Sequence, residues 1–235
     1  DMFVEIGLSL ETAFVPGLLE NARNPKIQPG QAGFVNCSEG WPALDVPSAL
    51  SRQSGDVHPQ GNPHMNLDPR AGRHIAARVL AGLIAIDAPS KDAHQKRYDE
   101  YVAKLALAEK RWASLGAAWK AAKVVVYHQE FNYFASVYGL TIAGSIEDKP
   151  GIPPTPNHIA ELVALMKKDK VEVILTAVWS NNASVARIAE AGGAKIVELP
   201  NMCGGVAGAD SWIAMMDLMH QRLGDAFGIA APAGK

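Results

Sequence analysis

The chain has 235 residues, 48% of them hydrophobic and 20% charged, a composition that buries a real core in one large or two small domains and argues against disorder. A formal net charge of -2 leaves no electrostatic footprint for nucleic acid. The longest apolar segment, 74–88, is broken by Arg78 and too short to span a bilayer, and Cys37 and Cys203 form no CxxC, which excludes zinc-ribbon and thioredoxin motifs.

Residues 2–6 read as a strand, 7–10 as a turn and 11–22 as a helix in which Phe14, Leu18 and Leu19 recur at helical spacing. Because the text opens on what looks like mid-strand, further residues are expected upstream of Asp1. A Gly/Pro-rich passage over 27–35 leads to a second strand before Cys37, and 41–53 is loop-like. Then comes a stretch, 55–69, with two histidines in a proline-stiffened loop. Pro59 follows His58 and Pro63 precedes His64, so both are biased to extended backbone and both rings have little freedom. Asp68 reads as an N-cap and Pro69 as the first helical residue. Histidines six apart cannot share a helix face, but an extended loop can turn both toward one point, either as a metal site or as two polar loop residues.

The helix opened by Asp68 runs to Ile86 and ends at Asp87 and Pro89. Ser90 then caps a second helix, where Tyr98, Tyr101, Val102, Leu105, Ala108, Trp112, Leu115 and Trp119 repeat at three and four for roughly thirty residues, about 45 Å at 1.5 Å per residue. Such a helix is longer than one small domain is wide and is expected to bridge two lobes. Beyond it strands and helices alternate: strands at 123–127, 140–144, 171–177 and 195–199, helices at 129–138, 157–168, 183–191 and 209–227. Runs such as Val124-Val125-Val126 are apolar on both faces, as in a parallel sheet covered by helices. Ligands of such sheets bind beyond the carboxyl ends of the strands, where His128 and the segment from Leu199 to Cys203 fall.

His58, His64 and His128 together make a set of neutral imidazoles suited to Zn²⁺, whereas Mn²⁺ asks for more carboxylate. Glu130, the carboxylate nearest His128 in the chain, is a candidate partner of its ring, ligand or general base, or a solvated helix start. His74, His94, His158 and His220 read as solvated or structural. For the cysteines a Cys37–Cys203 disulfide is favoured over ligation by Cys203 or plain thiols, with a stabilisation of about 4 to 5 kcal/mol in the chain-entropy model. The Asn182-Ala183-Ser184 sequon reads as chance. No Walker A, GxSxG, HExxH or GxGxxG motif is present.

NPHMNLDP at 62–69, YHQEFNYF at 127–134 with YGL at 138–140, and the long helix between them resemble the zinc/manganese solute-binding proteins of bacterial ABC importers, the cluster A-I or TroA-like family. GDVHP at 55–59 with PGIPPTP at 150–156 resembles a zinc-type branch of it. The resemblance covers nearly the whole chain. It implies an α/β fold of two parallel-sheet lobes flanked by helices and joined by one rigid spine helix: 1–88 the N-terminal lobe, 89–119 the spine and 120–235 the C-terminal lobe. It also implies metal bound between lobes by His64 and His128, with His58 as a further candidate, and a non-catalytic role: a monomer, exported to the periplasm or cell surface, handing Zn²⁺ (less readily Mn²⁺) to an ABC permease. Two positions depart from the family. Its first ligand histidine lies in a region before Asp1, and Pro200 and Asn201 stand where an aspartate ligand often falls, so that His58, Cys203 or water is left to complete the shell. The competing classes are a metal-dependent hydrolase using three histidines with an open position and a metal-free interaction module.

Overall fold

The structure, a computed structural model, describes residues 1–49, 55, 57–180 and 182–229. Residue 56 of the GDVHP stretch and residues 50–53 of the loop-like passage lie outside the described residues. Packing divides the chain into two compact units, Asp1–Ser48 with His58–Leu107, and Ala49–Val57 with Ala108–Lys235. The division falls inside the long helix rather than at its ends.

In the first unit, β1 (Phe3–Glu5) and β2 (Phe34–Asn36) pair in parallel. Helix α1 (Val15–Ala22) begins four residues later than the sequence pattern suggests. The Glu11 carboxylate accepts the backbone N–H groups of Ile6 and Gly7, which closes the turn after β1 and holds Glu11 outside the helix, while Pro16 sits in the first turn. Phe14 and Leu18 are exposed, so the buried stripe is Val15 and Leu19. Helix α2 (Ala71–Ile86) also starts later than expected. Asp68 is fully buried, but its carboxylate takes the N–H and the guanidinium of Arg70 instead of capping a helix begun at Pro69. A short 3-10 turn, Ala88–Ser90, leads into α3 (Lys91–Gly116), and hydrogen bonds from Ser90 and then His94 hold the Asp87 carboxylate below its ordinary range.

The second unit is a four-stranded, fully parallel sheet in the order β4-β3-β5-β6: β3 (Lys123–Val126), β4 (Thr141–Ser145), β5 (Val173–Ala177) and β6 (Lys195–Leu199). Val124, Val125 and Val126 and most of β5 are completely buried, as both-face apolarity demands. The helices between and after the strands are α4 (Asn132–Tyr138), α5 (Pro156–Asp169), α6 (Ala183–Gly192) and α7 (Trp212–Ala226). Val125 and Ile174 pack with Leu162 and Met166 of α5 and Val185 and Ile188 of α6, each fully buried side chain of this kind contributing about 1.5–3 kcal/mol. Thr155, Asn182 and Ser211 cap α5, α6 and α7 with their side chains. The expected extensions of α4 to Gln129 and of α7 to Ala209 are absent: residues 128–131 turn instead, with the Glu130 N–H on the His128 carbonyl, and Ser211 starts α7. At the end of α3, Gly116 passes so close to the Tyr138 ring that any Cβ would collide with it.

The second unit also holds an aromatic cluster, the aromatic base of the unit, around one histidine. His220 is fully buried; its ring stacks on Trp112 at 5.2 Å and contacts Trp119, Phe134 and Tyr138. Nδ1 donates to the Met216 carbonyl at 2.6 Å and Nε2 meets the Tyr138 hydroxyl at 2.6 Å. Burial pulls its pKa down to about 4, against smaller upward pulls from Met216 and Asp217. The cysteines do not pair: Cys37, buried just after β2, and Cys203, exposed after β6, are both free. Burial pushes the Cys37 thiol up to about 11, so it behaves as a small apolar core residue.

Candidate metal centre

In the second unit the chain leaves β3, turns through α4 to β4 on one side, and returns to β5 on the other, so the carboxyl ends of β3 and β5 form the point where strand order reverses. His128 stands just beyond β3 and Trp179 just beyond β5, their rings 5.9 Å apart and steeply inclined, with Tyr127 also edge-on to Trp179. Nδ1 of His128 is 2.8 Å from Oε2 of Glu147, the second residue after β4. The carboxylate partner of His128 is thus Glu147 and not Glu130, its neighbour in sequence. Glu130 is buried and accepts the Asn201 side-chain amide at 2.9 Å. Burial raises its pKa, and the Asn201 bond pulls it partly back. Asn201, where the resemblance anticipates a ligand aspartate, therefore supports a carboxylate instead of supplying one.

In the first unit His64 opens the 3-10 turn His64–Leu67, half-buried, with Met65 and Leu67 fully buried on either side of Asn66. Its backbone N–H donates to Asn62 Oδ1 at 3.0 Å, and the Asn62 amide donates to Asp45 at 3.1 Å. His58 is half-buried and its Nδ1 donates to the Ser9 carbonyl at 3.2 Å. His58 and His64 thus belong to one unit and His128 to the other. Within either unit, among the described residues, no three His, Cys, Asp or Glu side chains gather in a metal-holding arrangement. The remaining histidines have local duties: His74 packs on Trp41, His94 bonds Asp87 at 3.0 Å, and His158 bonds the Ser145 carbonyl at 2.8 Å. Glu147 and Trp179 escaped the sequence reading. The signal for Glu147 lay in its place just past a parallel strand end and before PGIPPTP.

Two parallel-sheet α/β units threaded by one long helix, with single histidines presented at a strand end and a turn, define a TroA-like solute-binding protein. The chain belongs to the family described as zinc-uptake complex component A, periplasmic, whose model matches residues 1–226. That family is one of transport components, not of enzymes. Among its relatives is the high-affinity zinc uptake system protein ZnuA of Bacillus subtilis (strain 168), 25% identical over 229 residues, covering 95% of this chain and 70% of that protein. The manganese ABC transporter substrate-binding lipoprotein PsaA of Streptococcus anginosus is 26% identical over 176 residues, 73% of this chain and 54% of its own length. A crystal structure of ZnuA superposes with a TM-score of 0.75 at 19% identity, over 95% of this chain and 78% of that one. Among the described residues no helix is long and apolar enough to cross a membrane.

Proposed function

We propose that the protein binds a divalent transition metal, Zn²⁺ first and Mn²⁺ second, and delivers it to the permease of an ABC importer from the periplasm or the cell surface, acting as a monomer. The observation that carries this reading is the family match across residues 1–226, joined to a His128 set at the strand-order switch of a parallel sheet. His64 and His128 are the proposed ligands, each as neutral imidazole, a donor that suits Zn²⁺; His58 is the proposed third. The zinc and manganese relatives place both ions within reach of the fold's chemistry. Transport relatives weigh against the hydrolase alternative.

Calorimetric titration with Zn²⁺ tests the assignment. His64→Ala and His128→Ala are expected to weaken binding by more than the roughly 10- to 100-fold that losing an outer-shell partner costs, while His74→Ala and His94→Ala leave it unchanged. Equal affinities in all four variants would remove the site from these residues.

A further inference from the structure

We infer that Glu147 is the positioning residue for His128, fixing its tautomer so that Nε2 is the unprotonated nitrogen offered to the metal. An ionised carboxylate only accepts hydrogen bonds. A ring nitrogen 2.8 Å from Glu147 Oε2 must therefore carry the proton, and that nitrogen is Nδ1. The lone pair then belongs to Nε2, since in a neutral imidazole the bond made by one nitrogen decides the state of the other. The contact is sheltered, with side-chain exposure of 19% for His128 and 9% for Glu147.

Glu147 is itself held at three points. Its N–H donates to the Tyr127 carbonyl at 3.0 Å, which ties it to the residue preceding His128. Its carbonyl accepts the Ser145 hydroxyl. Its Oε2 also takes the Gly151 N–H at 3.2 Å, and Gly151 reaches that position with φ at +74°, a conformation L side chains rarely adopt. Gly151 belongs to the small loop closed by the Lys149–Ile152 bridge, so part of PGIPPTP serves as the mount of a carboxylate. On its other side the His128 ring meets Trp179. The other carboxylate close in sequence, Glu130, takes the Asn201 amide on its Oε2.

This inference rests on the reading of His128 as a ligand, and the test separates the two. Long-range ¹H–¹⁵N correlation spectra of the metal-free protein report which ring nitrogen of His128 bears the proton, independently of zinc. Wild type is expected to show protonated Nδ1; Glu147→Ala is expected to lose that preference and bind Zn²⁺ roughly 10- to 100-fold more weakly. Glu147→Gln, whose amide oxygen still accepts, is expected to keep the tautomer and lose less affinity, and it stands in if the alanine variant fails to fold. Protonated Nε2 in the wild type, or a Glu147→Ala variant with unchanged tautomer and unchanged affinity, overturns the positioning role. If instead the tautomer follows Glu147 but His128→Ala binds Zn²⁺ as wild type does, the ligand assignment is overturned and the hydrogen bond is structural.

Discussion

His64 and His128 are the same residue type mounted in different ways. His128 follows a strand whose last three residues are fully buried and is braced by a carboxylate on one side and an indole on the other. His64 rides on one turn of 3-10 helix whose geometry depends on side chains reaching the backbone, Asn62 before it and Asp68 after it. The first mount draws rigidity from a sheet and its core, the second from a few polar bonds. Sheet mounts fail when the core fails; loop mounts fail one hydrogen bond at a time.

Acid offers the largest separation of the two. His220 sits in the second unit's aromatic cluster with a folded pKa of about 4, while in the unfolded chain its ordinary value is about 6.5. Between these values the unfolded chain takes up a proton that the folded one refuses, so this contribution to stability is complete above about pH 6.5. It falls as pH drops toward 4 and levels off below, a loss on the order of 3 kcal/mol. Urea denaturation of metal-free wild type and His220→Phe at pH 7 and 4.5 checks it: the variant is expected to lose markedly less stability on acidification. Identical pH losses would show that the aromatic base is not what acid attacks.

The loop mount is expected to break at Asp68. Its buried carboxylate serves both the N–H and the side chain of Arg70, and Asp68→Ala is expected to cost about 2 kcal/mol, the scale for orphaning a buried polar group. Hydrogen exchange read by peptide mass spectrometry is expected to show faster exchange over 58–86 and no change over 123–199. Faster exchange in both segments would abolish the distinction drawn between the mounts.

Thiol chemistry gives the smallest effect. Cys203 is expected to react with Ellman's reagent at once in the native protein and Cys37 only on unfolding, two thiols in all without reductant; Cys203→Ser is expected to change stability by less than about 0.5 kcal/mol. No reactive thiol even on unfolding would restore the bridge that the structure lacks.

Much of the second unit was legible because a parallel sheet writes itself as apolar runs separated by helices, and Lys195–Leu199 falls at its expected bounds. Helix starts were less legible. Glu11 and Asp68 are ordinary N-terminal signals, yet each is diverted to a backbone or guanidinium partner whose position depends on the surrounding fold. His128 announced itself by standing at a strand end. Glu147 did not, because its approach is set by the pairing of β3 with β4, including a register shift at Val124/Val125 that no local pattern encodes. Proximity in sequence singled out Glu130; proximity across the sheet selects Glu147. The cysteines misled for a similar reason, since rarity in the chain says nothing about which core each thiol enters. Asn182, by contrast, explains its sequon-like setting: its side-chain oxygen already accepts the N–H groups of Ser184 and Val185 at the start of α6.

Helix α3 runs without interruption from Lys91 to Gly116, across the boundary between the units at Leu107 and Ala108. Starting a helix is the unfavourable step and lengthening it is easy, so whichever unit folds first supplies a nucleus from which the other's portion can grow. Leu105 and Ala108, both buried and less than one turn apart, fall on opposite sides of that boundary. A continuous helix thus gives each unit a nucleus in its neighbour that a flexible tether would not supply.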